Sequence, residues 1–421
     1  MRRIDLHRVL AARFLSRVGS EAAFFVGVWG KAAFELHATA GQLSVLMLAL
    51  SLSSLIGSAV SGVLIDRYGP RVVLVAAEVL FAPAALIFIF ADSMSTLTLT
   101  AALWALVGTP VGISGEAFAP YLTHDPNELR RINSTVNGAT SVSFVMGPAI
   151  GALLVRHIAL DWVFVFDAVT SVAAAVLVWQ TRLARAPFGH DVAEGHPNAI
   201  RAFVKGMKVT YSARALRYYV FAGTLLWVSF GSFGVLEPLF FRDVVRGGAD
   251  TLGWVNAIYG LGMLIGAAIL PRLRDSAISA QGLVATVAAS GFASILYVGF
   301  ADLRIVLVGA LTWGAITGLF APLWRTLIHR DSPPTSVGRV MGTAEVHRRA
   351  GEMLPLAFAP ALAGLIGVQQ TMIAGALMAS FVMLLSLGTA RSIDREMSAR
   401  PARKLDLAEM VGPDEPFSPL P

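Results

Sequence analysis

Of 421 residues, 56% are hydrophobic and only 14% are charged, where a water-soluble domain carries about 25% charged residues. That apolar surplus is too large for one buried core and calls for a bilayer as solvent. The absence of cysteine excludes disulfides, thiol nucleophiles and zinc–thiolate sites, and the net charge of +6 reflects where the basic residues lie, with no need for nucleic acid as a partner.

Apolar stretches of about 20 residues, the length that crosses a hydrocarbon core as a helix, predict helices at 9–36, 40–64, 71–91, 95–119, 132–155, 161–181, 217–240, 251–271, 277–300, 303–327, 338–367 and 370–391. The start, Met1-Arg2-Arg3, has the charge of a signal peptide. Arg13 and Arg17 interrupt the apolar run, however, and no small-residue cleavage site follows, so it reads as an uncleaved first helix. Arg13, Arg17, Glu21, Lys31 and Glu35 share one stripe of that helix. Arg17 with Glu21, and Lys31 with Glu35, stand one turn apart and can pair. Charge at bilayer depth is costly and faces a cavity or a partner. Glu21, with Arg17, is therefore a candidate proton carrier or substrate contact, or else a structural ion pair. Lys31 and Glu35 are expected near the outer surface.

The turn after the second helix runs Gly62-Val63-Leu64-Ile65-Asp66-Arg67-Tyr68-Gly69-Pro70-Arg71. Small Gly62 admits a neighbouring helix, Asp66 suits the positive N-terminal end of a facing helix, and Arg67 and Arg71 anchor the turn on one side. Glu78 and Glu116 lie toward helix ends, where they can reach water. The fifth helix carries Ser134, Ser143, Gly147, Pro148 and Gly151. Small residues at these intervals permit close packing against the other half, and Pro148 bends the helix. Asp167 falls in a helix expected at the periphery.

The linker 182–216 begins Ala186-Pro187-Phe188-Gly189-His190 and then offers Asn198 as a cap. Ile200, Phe203, Val204 and Met207 follow on one face with Arg201, Lys205 and Lys208 opposite. That pattern suits a short amphipathic helix on the membrane surface, or a solvated basic linker. Glu237 before Pro238 is a candidate gate, and Trp227, Trp254, Asn256, Tyr259, Trp313 and Trp324 line a route or anchor helix ends. The eleventh helix holds Glu345, His347, Arg348, Arg349 and Glu352. The acids and arginines can pair at one-turn spacing, with a histidine, the residue type that most readily exchanges a proton near neutrality, among them. This cluster can bind an anionic group, relay protons or lock one state. After Arg391 the chain turns polar and proline-rich and is expected to be disordered.

The connections alternate in charge. Of the 33 lysines and arginines, 24 fall on the side of the N-terminus, and only Arg156, Arg242, Arg246 and Arg304 on the other. The positive-inside bias then places both termini in the cytoplasm. The second half also echoes the first. Leu55-Ile56-Gly57 and Asp66 recur as Leu264-Ile265-Gly266 and Asp275, 209 residues later. Arg131-Ile132 and Ser134-Thr135 recur as Arg339-Val340 and Gly342-Thr343. Two related halves suit a carrier whose central site opens to either side. The expected organisation is an all-α integral membrane fold. It comprises a six-helix bundle at 1–181, the linker at 182–216, a pseudo-symmetric bundle at 217–391 and a cytoplasmic tail at 392–421.

The 62–71 turn, with its glycine, Asp66-Arg67 and Gly69, resembles the signature loop of the major facilitator superfamily, although Pro70 replaces a usual basic residue. The resemblance implies that Gly62, Asp66, Arg67, Gly69 and Arg71 clamp the halves on the cytoplasmic side in the outward-facing state. The matching loop, Arg272-Leu273-Arg274-Asp275, is degenerate. The spacing in the fifth helix resembles the exporter motif, with serine or alanine for several glycines, and implies antiport. Arg13-Phe14, Asp161-Trp162-Val163-Phe164-Val165-Phe166-Asp167-Ala168 and Gly338-Arg339-Val340-Met341-Gly342 resemble the branch holding enterobactin exporters and macrolide-efflux proteins, in which Glu352 matches an acid. This likeness runs from about residue 9 to 391.

These readings converge on an exporter of a small amphiphilic molecule, drug-like or siderophore-like, exchanged for protons by rocker-switch alternating access. It would be a monomer in the cytoplasmic membrane with no cofactor beyond the proton gradient. A lipid or lysolipid translocator of the same fold is the alternative, with the arginines of helices one and eleven meeting lipid phosphates. No Walker loop and no His-x-x-x-His pair occurs, so an in-chain ATPase or a zinc enzyme is not expected.

Overall fold

The computed structural model describes residues 3–118, 125–181, 199–333 and 336–399. Among these the secondary structure is entirely helical. The N-terminal half holds α1 (Arg3–Ala22), α2 (Ala40–Tyr68), α3 (Pro70–Ile87), α4 (Met94–Ala117), α5 (Pro126–His157) and α6 (Asp161–Trp179). A linker helix, α7 (Ala199–Ser212), leads to the other half. That half holds α8 (Arg214–Phe230) and α9 (Phe233–Leu239), then α10 (Ala249–Ile269), α11 (Ala280–Val298) and α12 (Leu303–Asp331). It ends with α13 (Val337–Met353), α14 (Ala359–Ile366), α15 (Val368–Leu385) and α16 (Leu387–Ala399). Ten of the resulting rods are long and apolar enough to cross a membrane. Two more charged rods, α1 with its continuation and α13–α14, complete an all-α membrane fold of two six-helix bundles.

Local chemistry sets the helix ends. Thr39 and Gln42 form a capping box for α2, Ser93 and Thr96 one for α4, and Ser279 and Asp302 cap α11 and α12. Gly69 adopts φ 78° and Pro70 follows as the first residue of α3, so the chain stops one helix and starts the next within two residues. Three rods are broken. The first helix passes through π turns at Ala23–Val28 and Lys31–Glu35. The seventh breaks between α8 and α9 and ends in a π turn at Phe240–Val245. The eleventh is interrupted by a 3-10 turn at Leu354–Ala357, where Pro355 has no N–H to give. Irregular backbone at membrane depth belongs where protein or a cavity surrounds it.

Packing follows bilayer logic. Large apolar side chains such as Leu55, Val63, Leu99, Leu365 and Leu385 point outward, while small residues fill the helix contacts. Gly262 and Gly266 of α10 lie against the backbone of α12, and Gly314 and Gly318 of α12 lie against Tyr259 and Met263 of α10. The chain stays helical to Ala399, past the point where disorder was expected. Asp394 of α16 accepts from the Ala280 and Gln281 backbone N–H groups at 2.8 and 3.0 Å, capping α11. Residues 400–421 lie outside the described residues.

The halves meet on the side away from the N-terminus. Gly253 of α10 faces the Pro148 carbonyl, Ala152 and Val26, and Gly260 faces the Phe144 carbonyl. Arg242 donates from Nη1 to the Ala33 and Ala38 carbonyls, both at 3.0 Å, pinning the end of the seventh rod to the end of the first. Against this closed far side stands the basic side. There Gly62 of α2, Gly112 of α4, Gly138 of α5 and Gly338 and Gly342 of α13 have nothing within 4 Å of where a Cβ would sit. No protein lies against these faces, and the contacts that join the halves, α5 with α10 and α2 with α9 and α14, leave the halves apart toward the basic side.

Candidate functional site

Two charged groups line the interior of α1 and α13. On α1, Arg17 Nε meets Glu21 at 2.6 Å, with the arginine side chain 49% exposed and the glutamate 7%. Glu21 is packed at Gly147 of α5, whose missing side chain makes the room. Arg17 leads outward from that contact, so the pair bridges a buried acid to the open space. On α13, Arg348 binds Glu345 through two bonds of 2.7 and 2.8 Å and reaches Glu352 at 3.1 Å. Its guanidinium lies 4.9 Å from the centre of the Trp227 ring on α8, a cation–π contact. Arg349 adds a 3.1 Å bond to Glu345.

His347 does not join that cluster. Its Nδ1 lies 2.8 Å from the Thr343 carbonyl and so carries hydrogen, and its Nε2 lies 2.6 Å from the Tyr211 hydroxyl of α7. Helix α7 thus packs on α13, with Gly206 close against Arg339. The linker helix is held by protein as well as being amphipathic.

Other expected residues lie differently from the sequence reading. Gly147 and Gly151 face Glu21 and Val26 of α1, within their own half. The close approach between halves comes from Gly253 and Gly260 of α10, which face the Pro148 and Phe144 backbone carbonyls of α5. Ser143 is buried and bonds the Ala139 carbonyl at 2.9 Å and the Phe14 carbonyl at 3.4 Å. The Ser134 side chain lies outside the described residues. In the 62–71 turn, Asp66 and Arg67 are exposed and nothing lies within 4 Å of where a Cβ on Gly62 would sit. Arg71 binds the Trp179 carbonyl of its own half. The Lys31 side chain is buried and meets two partly exposed acids, Asp161 at 3.1 Å and Glu35 at 3.4 Å.

The largest surprise is inside the N-terminal bundle. Glu78 of α3 is 2% exposed and Asp167 of α6 is 0% exposed. Neither reaches water or the periphery. Trp104 donates to Asp167 Oδ2 at 3.1 Å, and Ser20 donates to Oδ1 at 3.4 Å. Arg13 crosses from α1 to α4, where it occupies the space left by Gly115 and donates to the Gly112 carbonyl at 3.3 Å. The signal was present in the sequence: each acid is flanked on both sides by apolar residues with no basic residue one turn away. In the other half, Trp313 gathers Phe230, Phe233, Tyr259 and Tyr297 at ring-centre distances of 5.1, 5.1, 4.8 and 5.3 Å. Glu237 accepts a bond from Tyr297 beside this group.

The model of the Major Facilitator Superfamily matches residues 9–354. An uncharacterized MFS-type transporter of Sinorhizobium fredii is 26% identical over 84% of this chain and 87% of its own. The multidrug efflux pump Tap of Mycobacterium tuberculosis is 26% identical over 88% of this chain and 89% of its own. Macrolide efflux protein A of Enterococcus faecalis is 25% identical over 54% and 72%. Among solved structures, a variant of the nucleoside transporter NupG superposes with a TM-score of 0.74 at 10% identity, over 92% of this chain and 99% of that one. A bacterial homolog of the human lysosomal transporter Spinster, in an inward-facing and unoccupied conformation, gives 0.70 at 13%, over 94% and 99%. With a match across most of its length, and with two helical bundles closed on one side and open on the other, the chain belongs to the major facilitator superfamily.

Proposed function

We propose that this transporter exports a small amphiphilic molecule, drug-like or siderophore-like, in exchange for protons. The observation that carries the reading is the one-sided opening, whose walls combine charge with an aromatic face. Arg17 with Glu21 stands on one half, and Arg348 with Glu345, Glu352 and Trp227 on the other. Such walls offer an amphiphile both a polar partner and a ring to lie on. Relatives named for macrolide and multidrug efflux support the direction.

In this reading the basic side is cytoplasmic, as are both termini, and the protein works as a monomer in the cytoplasmic membrane with no cofactor. Substrate enters the opening. The halves rock about the α5–α10 contact, so that Gly62 and Asp66 meet the other half and the far side parts at Arg242. Residues 1–181 and 217–391 are the rocking units.

Cells with the gene deleted, intact or overexpressed are compared for compounds inside and outside, with and without a proton uncoupler. Faster loss of a compound on overexpression, abolished by the uncoupler, is the expected result. Unchanged soluble compounds with lipid redistributed between leaflets would overturn it in favour of a lipid translocator.

A further inference from the structure

Among the described residues, buried side-chain atoms without a hydrogen-bond partner occur on Ser44, Arg71, Glu78, Ser114, Ser171, Ser229 and Ser332, and two of them, on Glu78 and Ser171, belong to one set. Ser16 and Ser20 of α1 stand one turn apart, as do Asp167 and Ser171 of α6, and the two pairs face each other inside the N-terminal bundle. Glu78 enters from α3 between them, with the Ser16 and Ser171 hydroxyls nearest its carboxyl and Asp167 close enough for their charges to interact. Yet Glu78 Oε2 and Ser171 Oγ are both fully buried without a hydrogen-bond partner. An ionised carboxylate accepts only, and an orphaned buried oxygen of that kind is costly. The Ser171 hydroxyl can donate to the ionised form or accept from the protonated one, so the balance of charge around the set decides which form is held.

The charges that face this set are few. Arg13 comes from α1, with Arg17 further along the same helix, and Glu116 stands at the end of α4. Glu116 is exposed and Arg17 is engaged by Glu21. That leaves one guanidinium, Arg13, for two buried carboxylates. Two ionised acids would leave an uncompensated buried charge, which proteins avoid.

The other half provides an internal control. Positions 209 residues on from Glu78 and Asp167 are Val287 and Ala376, both fully buried. The counterpart of Trp104 is Trp313, which donates to Ser290 at 3.0 Å, and the counterpart of Ser171 is Ser380, which donates to the Ala288 carbonyl at 2.9 Å. The same helix packing is therefore built without acids. The fold does not require Glu78 or Asp167.

We infer that Glu78 and Asp167 form a proton-binding site inside the N-terminal bundle, holding one proton between them, with Arg13 as its counter-charge and gate. Release breaks the O–H bond of the protonated carboxyl and forms one on a water in the opening. Arg13, held at the Gly112 carbonyl beside that opening, then turns inward to the carboxylate left behind. The inference rests on the antiport reading for what the proton drives, but not for where it binds.

The test is infrared spectroscopy of the purified full chain in detergent, stepped from mildly acidic to mildly alkaline pH. The expected result is the carbonyl stretch of a buried carboxylic acid that disappears on alkalinisation in the wild type and is lost in Glu78→Gln and Asp167→Asn. A second variant, Glu78→Val with Asp167→Ala, borrows the side chains of the other half and so keeps the packing; it is expected to fold and to lack the band. A wild type without the band at any pH, or a band unchanged in these variants, would overturn the site. Export that ignores the uncoupler while the band behaves as expected would overturn antiport and leave the site standing.

Discussion

The two halves solve the same packing problem with different chemistry. Gly57 of α2 faces the Leu106 carbonyl of α4, and Gly266 of α10 faces the Ala315 carbonyl of α12, each partner again 209 residues on. A large group lies on a glycine in both bundles, but the roles are exchanged. In the first, Arg13 fills the space over Gly115; in the second, Trp324, the counterpart of Gly115, lies on Gly223. Geometry is thus shared, while the positions of Glu78 and Asp167 hold acids in the N-terminal half and Val287 and Ala376 in the C-terminal half. Where the fold alone needed no charge, charge present in one half and absent from its copy points to chemistry.

The strongest way to break this comparison is to crowd the equivalent glycines. A Cβ on Gly266 would collide only with backbone, the carbonyl of Ala315 and the N–H of Leu319, whereas on Gly57 two of the three nearest atoms belong to the Thr109 side chain. Overpacking costs about 1–3 kcal/mol when neighbours can shift and more when they cannot. Gly266→Val is expected to lose most of its folded, monodisperse yield in detergent chromatography. Gly57→Val is expected to fold with a lowered melting temperature. Equal tolerance at both sites would show that the contacts are not equivalent.

The exchanged pair gives a smaller effect. On Gly223 a methyl group would meet the Trp324 ring at 2.8 Å, and that ring is fixed by its 2.8 Å bond to the Tyr219 carbonyl. On Gly115 it would meet only the end of Arg13, which is flexible. Gly223→Ala should lower stability by about 1–3 kcal/mol in thermal unfolding. Gly115→Ala should leave the melting temperature nearly unchanged while shifting the pH at which the infrared band disappears, because it displaces the counter-charge.

Much of this was legible beforehand, for identifiable reasons. Helix length, the 209-residue echo and the asymmetry of arginines are properties of the chain as a string, so the all-α membrane fold followed from them. One-turn pairs such as Arg17 with Glu21 were legible because a single helix brings them together. The burial of Glu78 and Asp167 is legible in their apolar neighbours, but their meeting is not, because the members of the set come from α1, α3, α4 and α6 and share no spacing. The spacing of Gly147 and Gly151 predicts packing against the other half, whereas both lie on the first helix of their own half, since small residues announce a close approach without naming the helix that approaches. The helix through Ala399 is not legible because polar residues after Arg391 predict disorder, whereas Asp394 among them caps another helix.

The finest test compares the two tryptophans. Trp104 donates to a carboxylate oxygen of Asp167 and Trp313 to the Ser290 hydroxyl, at 3.1 and 3.0 Å. Replacing either by phenylalanine removes one N–H donor and leaves a similar ring. A hydrogen bond to a neutral group contributes about 0.5–1.5 kcal/mol and one to a charged group about 1.5–3 kcal/mol. If the acids of the first half share a proton at low pH and lose it at high pH, the Trp104→Phe penalty must grow with pH, since the acceptor gains charge. The Trp313→Phe penalty must stay constant. Thermal unfolding of the two variants across pH measures both. Penalties that coincide under acidic conditions and diverge under alkaline ones follow from a titrating pair beside Trp104. Two flat, parallel curves would mean that Asp167 never changes its charge.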